Sequence, residues 1–343
     1  MFSTDAHWTR TLRVAIPLGV VALALTGCSE PSGGAAGGSG NVAAVIKGLD
    51  NPFFQAMEDG ITDTAEADDV KVTVQAAADI GDTTGQADKL TALAGQDFGC
   101  FVVNPISGTN LVQALSQVSS SGKSIVNIDN PIDADAAETA NIDIATYIGT
   151  DNTAAGAKAG DFVAEQIGSG EVAIIGGVAG DVTSAARIDG FKDAVDGKLD
   201  VIQETAADWK RELALTAATD IIAANPDVKA FFAANDDMGL GIVKAIENAG
   251  LTGSIVVVSV DGNKDALQSV ADGGLTATVA QYPYAVGTLG LQACEVLADG
   301  GEVPDSIESP TALVTADQAS DALAKFPQPF EDFENPLTEL LSK

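Results

Sequence analysis

Between residues 42 and 298 the chain repeats one unit nine times, a short apolar run followed in most cases by a longer amphipathic stretch. The runs lie at 42–46, 70–74, 100–103, 124–128, 171–175, 200–203, 228–232, 254–260 and 275–280. The amphipathic stretches lie at 53–67, 84–95, 108–121, 153–168, 184–196, 210–224, 237–249, 263–272 and 284–298. Continuous β-branched runs of four to eight residues read as strands buried on both faces, and the intervening segments read as helices that cover them. Such a pattern specifies an α/β chain with parallel sheets. One sheet of nine or ten strands and two open sheets both satisfy it. At roughly 300 residues and 46% hydrophobic content, two sheets suit the length better.

The first forty residues are of another kind. Arg10 and Arg13 precede the apolar stretch 14–25, "VAIPLGVVALAL", which is too short to span a bilayer but fits the core of a secretory signal. "LTGC" (25–28) resembles a bacterial lipobox, so 1–27 is expected to be a lipoprotein signal peptide and Cys28 the acylated N-terminus. Residues 28–40, rich in Gly and Ser, read as a flexible tether. The expected location is extracytoplasmic, lipid-anchored to the membrane. Cleavage removes Asp5, Arg10 and Arg13, a net +1, and takes the formal charge from −32 to about −33. That balance argues against nucleic acid and anionic membrane surfaces as partners. Cleavage also removes the only histidine, His7, so Ser-His-Asp and Cys-His sites are excluded and the commonest metal ligand is absent.

In doubly wound sheets, ligands sit beyond the carboxyl ends of the strands. The loops there read "KGLDNPFF", "NPISGTN", "IDNP", "GGVAGDVTSAAR", "ETAADWKREL", "AANDDMGLG", "SVDGNKD" and "AQYPY". They carry Asp, Asn, Gln, Arg and aromatic rings. "IIGGVAG" (174–180) lacks the spacing of a dinucleotide loop. "DGNKDALQS" (261–269) begins like a calcium loop, but Ala266 stands at the sixth position and Asp272 at the twelfth. No metal and no cofactor are expected.

In order and spacing, "LDNPFF", "IDNP", "TSAARIDGF", "ADW", "AANDDMGLG", "VVVSVDG" and "TVAQYP" resemble the sugar-binding members of the type I periplasmic binding protein family, ribose-binding proteins above all. The resemblance runs from about residue 41 to 315. It implies two Rossmann-like lobes joined by a three-crossover hinge, with the ligand in the cleft between them. The N-terminal lobe is then 41–149 plus 282–309 and the C-terminal lobe 151–280 plus 311–325. The tail 326–343 has no clear counterpart; its prolines and aromatics suggest packing along a lobe surface.

By the same resemblance the ligand-binding residues are Asn51, Phe53, Phe54, Asp129, Arg187, Trp209, Asn235, Asp261 and Gln281, and Lys47 and Asn130 are added to them where the chain departs from the family pattern. Phe53 and Phe54 are expected to cover one apolar face of a sugar ring, and Trp209 answers from the opposite lobe. Asp, Asn, Gln and Arg take the hydroxyls. Asp236 and Asp237 read as caps of helix 237–249. Two positions depart from the family pattern. Asn130 stands where many members carry Arg, Val260 where they often carry an aromatic ring, and Lys47 is a candidate substitute cation. Cys100 and Cys294 fall in one lobe by resemblance; in an exported chain they pair or stand as two buried thiols, and both readings remain open.

The expected function is that of the solute-binding lipoprotein of an ABC importer. It closes on a neutral monosaccharide or sugar alcohol and delivers it to the permease, as a monomer. The alternative is a sensor of the same fold that signals to a chemoreceptor or histidine kinase. A glycosidase is the third class, and the Asn, Arg and Gln facing the carboxylates speak against it. A repressor is excluded by the lack of a basic DNA-binding segment and by the export signal.

Overall fold

The computed structural model describes residues 40–342. Cys28 and the signal segment lie outside the described residues. The elements in chain order are β1 (Val42–Ile46), α1 (Pro52–Ala67), β2 (Val72–Ala76), α2 (Thr83–Ala94), β3 (Cys100–Val103), α3 (Val112–Ser120), β4 (Ser124–Ile128), α4 (Ala134–Thr139) and β5 (Thr146–Thr150). Then come α5 (Asn152–Ile167), β6 (Glu171–Gly176), α6 (Val182–Val195), β7 (Asp200–Ala206), α7 (Arg211–Ala224), β8 (Val228–Ala233), α8 (Asp236–Asn248), β9 (Val256–Asp261), α9 (Lys264–Ala271) and β10 (Ala277–Ala280). The last are α10 (Pro283–Ala298), β11 (Ser306–Ser309), β12 (Ala312–Val314), α11 (Ala316–Lys325) and α12 (Thr338–Leu341).

Two six-stranded sheets result, ordered β11-β5-β4-β3-β1-β2 and β12-β10-β9-β8-β6-β7. Every pairing is parallel except β12 against β10. The chain passes between the sheets after β5, after β10 and after β11. Two doubly wound α/β lobes are therefore present, as the alternation of apolar runs and helices implies. Three strands, β5, β11 and β12, go beyond the nine apolar runs.

Strand alternation divides each lobe's core in two. Val42, Ala44 and Ile46 of β1 join one cluster with Met57, Ile61, Val102 and Leu289, whereas Ala43 and Val45 join another with Leu90, Phe101 and Leu115. In the second sheet Phe231 and Val257 face α7 and α8, and Phe232 and Val258 face α5 and α6. Phe232 stacks on Phe191 at 4.4 Å. A sheet buried on both faces holds its strand ends rigidly, and the loops at those ends inherit that rigidity.

Cys100 on β3 and Cys294 on α10 form a disulfide, with Cα atoms 5.7 Å apart. The tail does more than coat one surface. Phe326 packs on the second lobe's core, Phe330 lies edge-on to Tyr282 at the crossover (5.9 Å), and Leu337 is fully buried in the first lobe's core. Asn335 Nδ2 donates to Gln292 Oε1 of α10 at 2.8 Å.

Candidate functional site

The first sheet's contribution begins where β1 ends. Asn51 caps α1: its Oδ1 accepts from the Phe53 amide at 2.9 Å, and Pro52 occupies the first helical position, where no N–H is needed. The cap consumes the Asn51 oxygen and leaves its Nδ2 hydrogens to donate. Phe53 and Phe54, edge-to-face at 5.3 Å, are buried. Their place in the first turn suggests exposure in the sequence; in the fold they close the core and present their remaining faces to a cavity. Lys47 Nζ lies 5.2 Å over the Phe54 ring and 3.4 Å from Asp129 Oδ2.

Asp129 follows β4 with φ of 60°, a conformation that costs a non-glycine residue energy. The Tyr147 hydroxyl holds it there, donating to the Asp129 carbonyl at 2.6 Å. Burial, reinforced by the Asp129 charge, raises the Tyr147 phenol well above its ordinary value, so it remains a donor.

The second sheet contributes Arg187 from α6, Trp209 after β7, Asn235 after β8 and Asp261 at the end of β9. Trp209 and Asp208 have φ of 62° and 51°. The indole lies against the backbone of Gly177, where any Cβ would collide with it. Arg187 is nearly fully buried. Its Nε donates to Asn152 Oδ1 at 2.8 Å, and its Nη1 donates to the Ala234 carbonyl at 2.6 Å and to Asp261 Oδ1 at 3.2 Å. Its guanidinium carbon stands 5.9 Å from the centre of the Trp209 ring. Its hydrogen bonds use Nε and Nη1 and not Nη2. Burial pushes the Asp261 carboxyl well above the usual carboxylate range; Arg187 opposes the shift, and the charges of Asp236, Asp129 and Asp237 add to it.

Asn235, not Asp236 or Asp237, caps α8, its Oδ1 accepting from the Met238 amide at 2.9 Å. Asp236 is the first helical residue and lies beneath the site, 1% exposed. It accepts from Ser259 Oγ (2.6 Å), Thr278 Oγ1 (2.7 Å) and the Asn263 amide (2.7 Å). Burial raises its carboxyl to about 6 despite those bonds. Asp237 pairs with Arg211 at 2.7 Å. The calcium-like stretch enters helix α9 at Lys264 instead of forming a loop.

These side chains meet in a cavity of about 430 Å³, within the roughly 300–1,000 Å³ usual for small-molecule sites. Nine of the eleven expected residues line it: Lys47, Asn51, Phe53, Phe54, Asp129, Arg187, Trp209, Asn235 and Asp261. Gln281 and Asn130 stand one layer behind. Gln281 Nε2 donates to Asp261 Oδ1 at 2.8 Å and so orients a lining carboxylate. Asn130 Nδ2 donates to the Pro105 and Ile106 carbonyls, and its Oδ1 accepts from Thr183 Oγ1. Thr83, Ser107, Asp181 and Thr183 also line the cavity without having been singled out. The loops that hold Ser107, Asp181 and Thr183 were marked by their position after strands, yet nothing in "NPISGTN" distinguishes Ser107 from its polar neighbours.

The lining has a definite chemistry. Phe rings from one sheet and an indole from the other offer apolar contact. Two amides, two cations, three carboxylates and several hydroxyls can donate and accept in pairs. No histidine and no free thiol is present among them.

Comparison with known proteins agrees with the two-lobed fold. Residues 42–302 match the periplasmic binding protein domain family. The D-allose-binding periplasmic protein of Escherichia coli is 37% identical over 254 residues, which cover 73% of this chain and 82% of that protein. The ribose import binding protein RbsB of Bacillus subtilis is 32% identical over 310 residues, covering 88% and 98%. A periplasmic solute-binding protein of an Actinobacillus succinogenes ABC transporter, solved with bound D-allose, superposes with a TM-score of 0.78 at 28% identity, covering 82% of this chain and 99% of that one. These relatives are binding proteins for transport and not enzymes. The match over residues 42–302, with the two-lobed fold around it, places this chain in the periplasmic binding protein domain family.

Proposed function

We propose that this protein is the solute receptor of an ABC importer, taking a neutral monosaccharide or sugar alcohol into the cavity between its lobes and delivering it to the permease. The observation that carries the reading is the cavity's composition: Phe53 and Phe54 from one sheet and Trp209 from the other, with Asp129, Asp261 and Arg187 between them. A sugar ring has C–H faces and hydroxyl edges. Aromatic rings remove the faces from water, while charged and amide groups satisfy the edges. Binding selects the closed arrangement, in which segments 41–149 with 282–309 and 151–280 with 311–325 move as two bodies. The receptor acts as a monomer held to the membrane by acyl chains on Cys28.

A thermal-shift panel of ribose, allose, other pentoses and hexoses, sugar alcohols and inositols tests the reading. A ligand that binds only the folded chain stabilises it by about 2.7 kcal/mol at a hundredfold excess over Kd. One member of the panel should raise Tm and bind with unit stoichiometry by calorimetry. No shift with any of them would refute a sugar ligand. The anchor is tested separately: Cys28→Ala should move the protein from the membrane fraction into the soluble one, and unchanged membrane association would refute lipidation.

A further inference from the structure

Asn130 follows Asp129 directly, yet it is not among the residues that line the cavity and is 1% exposed. Its carboxamide is fully engaged. Nδ2 donates to the carbonyls of Pro105 (3.0 Å) and Ile106 (3.3 Å), in the loop between β3 and α3 of the first lobe. Oδ1 accepts from Thr183 Oγ1 at 3.2 Å. Thr183 belongs to the first turn of α6, on the second lobe. The hydrogen bond therefore crosses the cleft. Behind it Asn127 braces the same turn, with Nδ2 donating to the Asn130 carbonyl at 2.9 Å and Oδ1 accepting from the Ile132 amide at 2.9 Å. A network that fixes the Asn130 side chain in one orientation presents its oxygen, ready placed, to whatever the second lobe brings.

We propose that Asn130 and Thr183 form a latch, a pair that stabilises the closed cleft and sets how long a ligand is retained, with Asn130 acting as a positioning residue that touches no ligand. The bond exists only when the lobes meet, so its free energy falls wholly on the closed side of the equilibrium. In the open state both groups are hydrated, and a net neutral hydrogen bond of this kind shifts the open–closed ratio about two- to twelvefold. The latch also holds the loop carrying Ile106 and Ser107, both of which line the cavity. Its effect on ligand rests on the proposed sugar binding; its effect on lobe separation does not.

The test reads both. Spin labels at exposed Glu66 on α1 and Asp220 on α7 report lobe separation in the ligand-free protein by pulsed electron resonance. Stopped flow with whichever sugar the panel identifies reports dissociation. Thr183→Val should lengthen the separations and speed dissociation about two- to twelvefold, by the same factor for every sugar bound. Thr183→Ser, which keeps the hydroxyl, should restore both. Asn130→Ala should cost more than Thr183→Val, because it also frees the Pro105–Ile106 loop, and adding Thr183→Val to it should change nothing further. Unchanged separations in Thr183→Val, or full additivity of the two substitutions, would overturn the latch. If separations are unchanged and only sugars with one particular hydroxyl lose affinity, Thr183 is a ligand contact and the latch is equally overturned. If separations lengthen as stated but no sugar binds, the latch stands and the sugar reading falls.

Discussion

Replacing Arg187 by methionine, unbranched and of similar reach, tests the second lobe's half of the site. The substitution removes three protein hydrogen bonds, to Asn152, Ala234 and Asp261, and leaves the Asp261 carboxylate buried against Gln281 alone. Breaking a buried ion pair from one side costs about 3–5 kcal/mol. Part of that penalty is relieved because Asp261, already raised by burial, takes up a proton. Urea denaturation should therefore show a loss at the lower end of the range at pH 5 and a larger one at pH 7.5. Binding should suffer separately. A charge-assisted bond from Nη2 to a ligand hydroxyl is worth about 1.5–3 kcal/mol, so affinity measured by calorimetry should fall about 10- to 150-fold or more. Arg187→Lys restores a cation opposite Asp261 but neither the Nε bond nor the planar fork, so it should recover stability and little affinity. A folded Arg187→Met variant that binds its sugar within twofold of wild type would refute the assignment, because the guanidinium would then serve only the lobe's core.

Trp209 is the one tryptophan from residue 29 onward, so in a chain that begins there ligand-induced closure should shift its emission to the blue or change its intensity; Trp209→Phe should lose the signal yet bind within about tenfold, roughly 1.4 kcal/mol. Unchanged emission on binding, with normal affinity in Trp209→Ala, would make the indole a packing residue. Titration of the denatured, unreduced chain from residue 29 onward should find no free thiol, and two after reduction, since Cys100 and Cys294 are bridged. Two reactive groups before reduction would refute the bridge. Asp236, raised by burial from its ordinary 3.8 to about 6, binds its proton more tightly folded than unfolded. Its contribution to stability is therefore full below about pH 4 and lost as pH rises through about 6, a difference on the order of 3 kcal/mol. Asp236→Asn should flatten that part of the profile in urea denaturation, and a slope identical to wild type between pH 4.5 and 7 would count against the buried charge.

The strands that were legible are those whose only duty is to be buried. "VAAVI", "CFVV" and "VKAFFA" are apolar because both faces of their sheets are covered. β5, "TYIGT", carries no such run although it lies between β4 and β11 inside its sheet. The reason lies in the site. The Tyr147 ring folds back over Gly149, where a Cβ would collide with it, so that its hydroxyl reaches the Asp129 carbonyl. Strand propensity yields there to the need to hold Asp129 in place. β11 and β12 are missed for a simpler cause, being edge strands of four and three residues at the hinge.

The same conflict explains why residue types in the cleft were easier to read than their postures. Six non-glycine residues among those described have positive φ, and four of them, Asp129, Asp208, Trp209 and Asp261, stand at the cleft. Local rules assign such positions to glycine, and nothing in "IDN", "ADW" or "VDG" announces the exception. Three of the four are over-determined from behind: Asp129 by Tyr147, Trp209 by the bare backbone of Gly177, Asp261 by Arg187 and Gln281. That layer was invisible because its members are distant in the chain and reach the cavity only through a neighbour. Asp236 and Asn130 belong to it. Asp236, which reads locally as a helix cap, is a buried acceptor, and Asn130, expected among the ligand-binding residues, is buried with its donors and acceptor bonded to protein. Strain of roughly 1–3 kcal/mol at each positive-φ residue persists only while its support does. Substitutions one layer behind the cavity should therefore disturb binding as surely as those that line it.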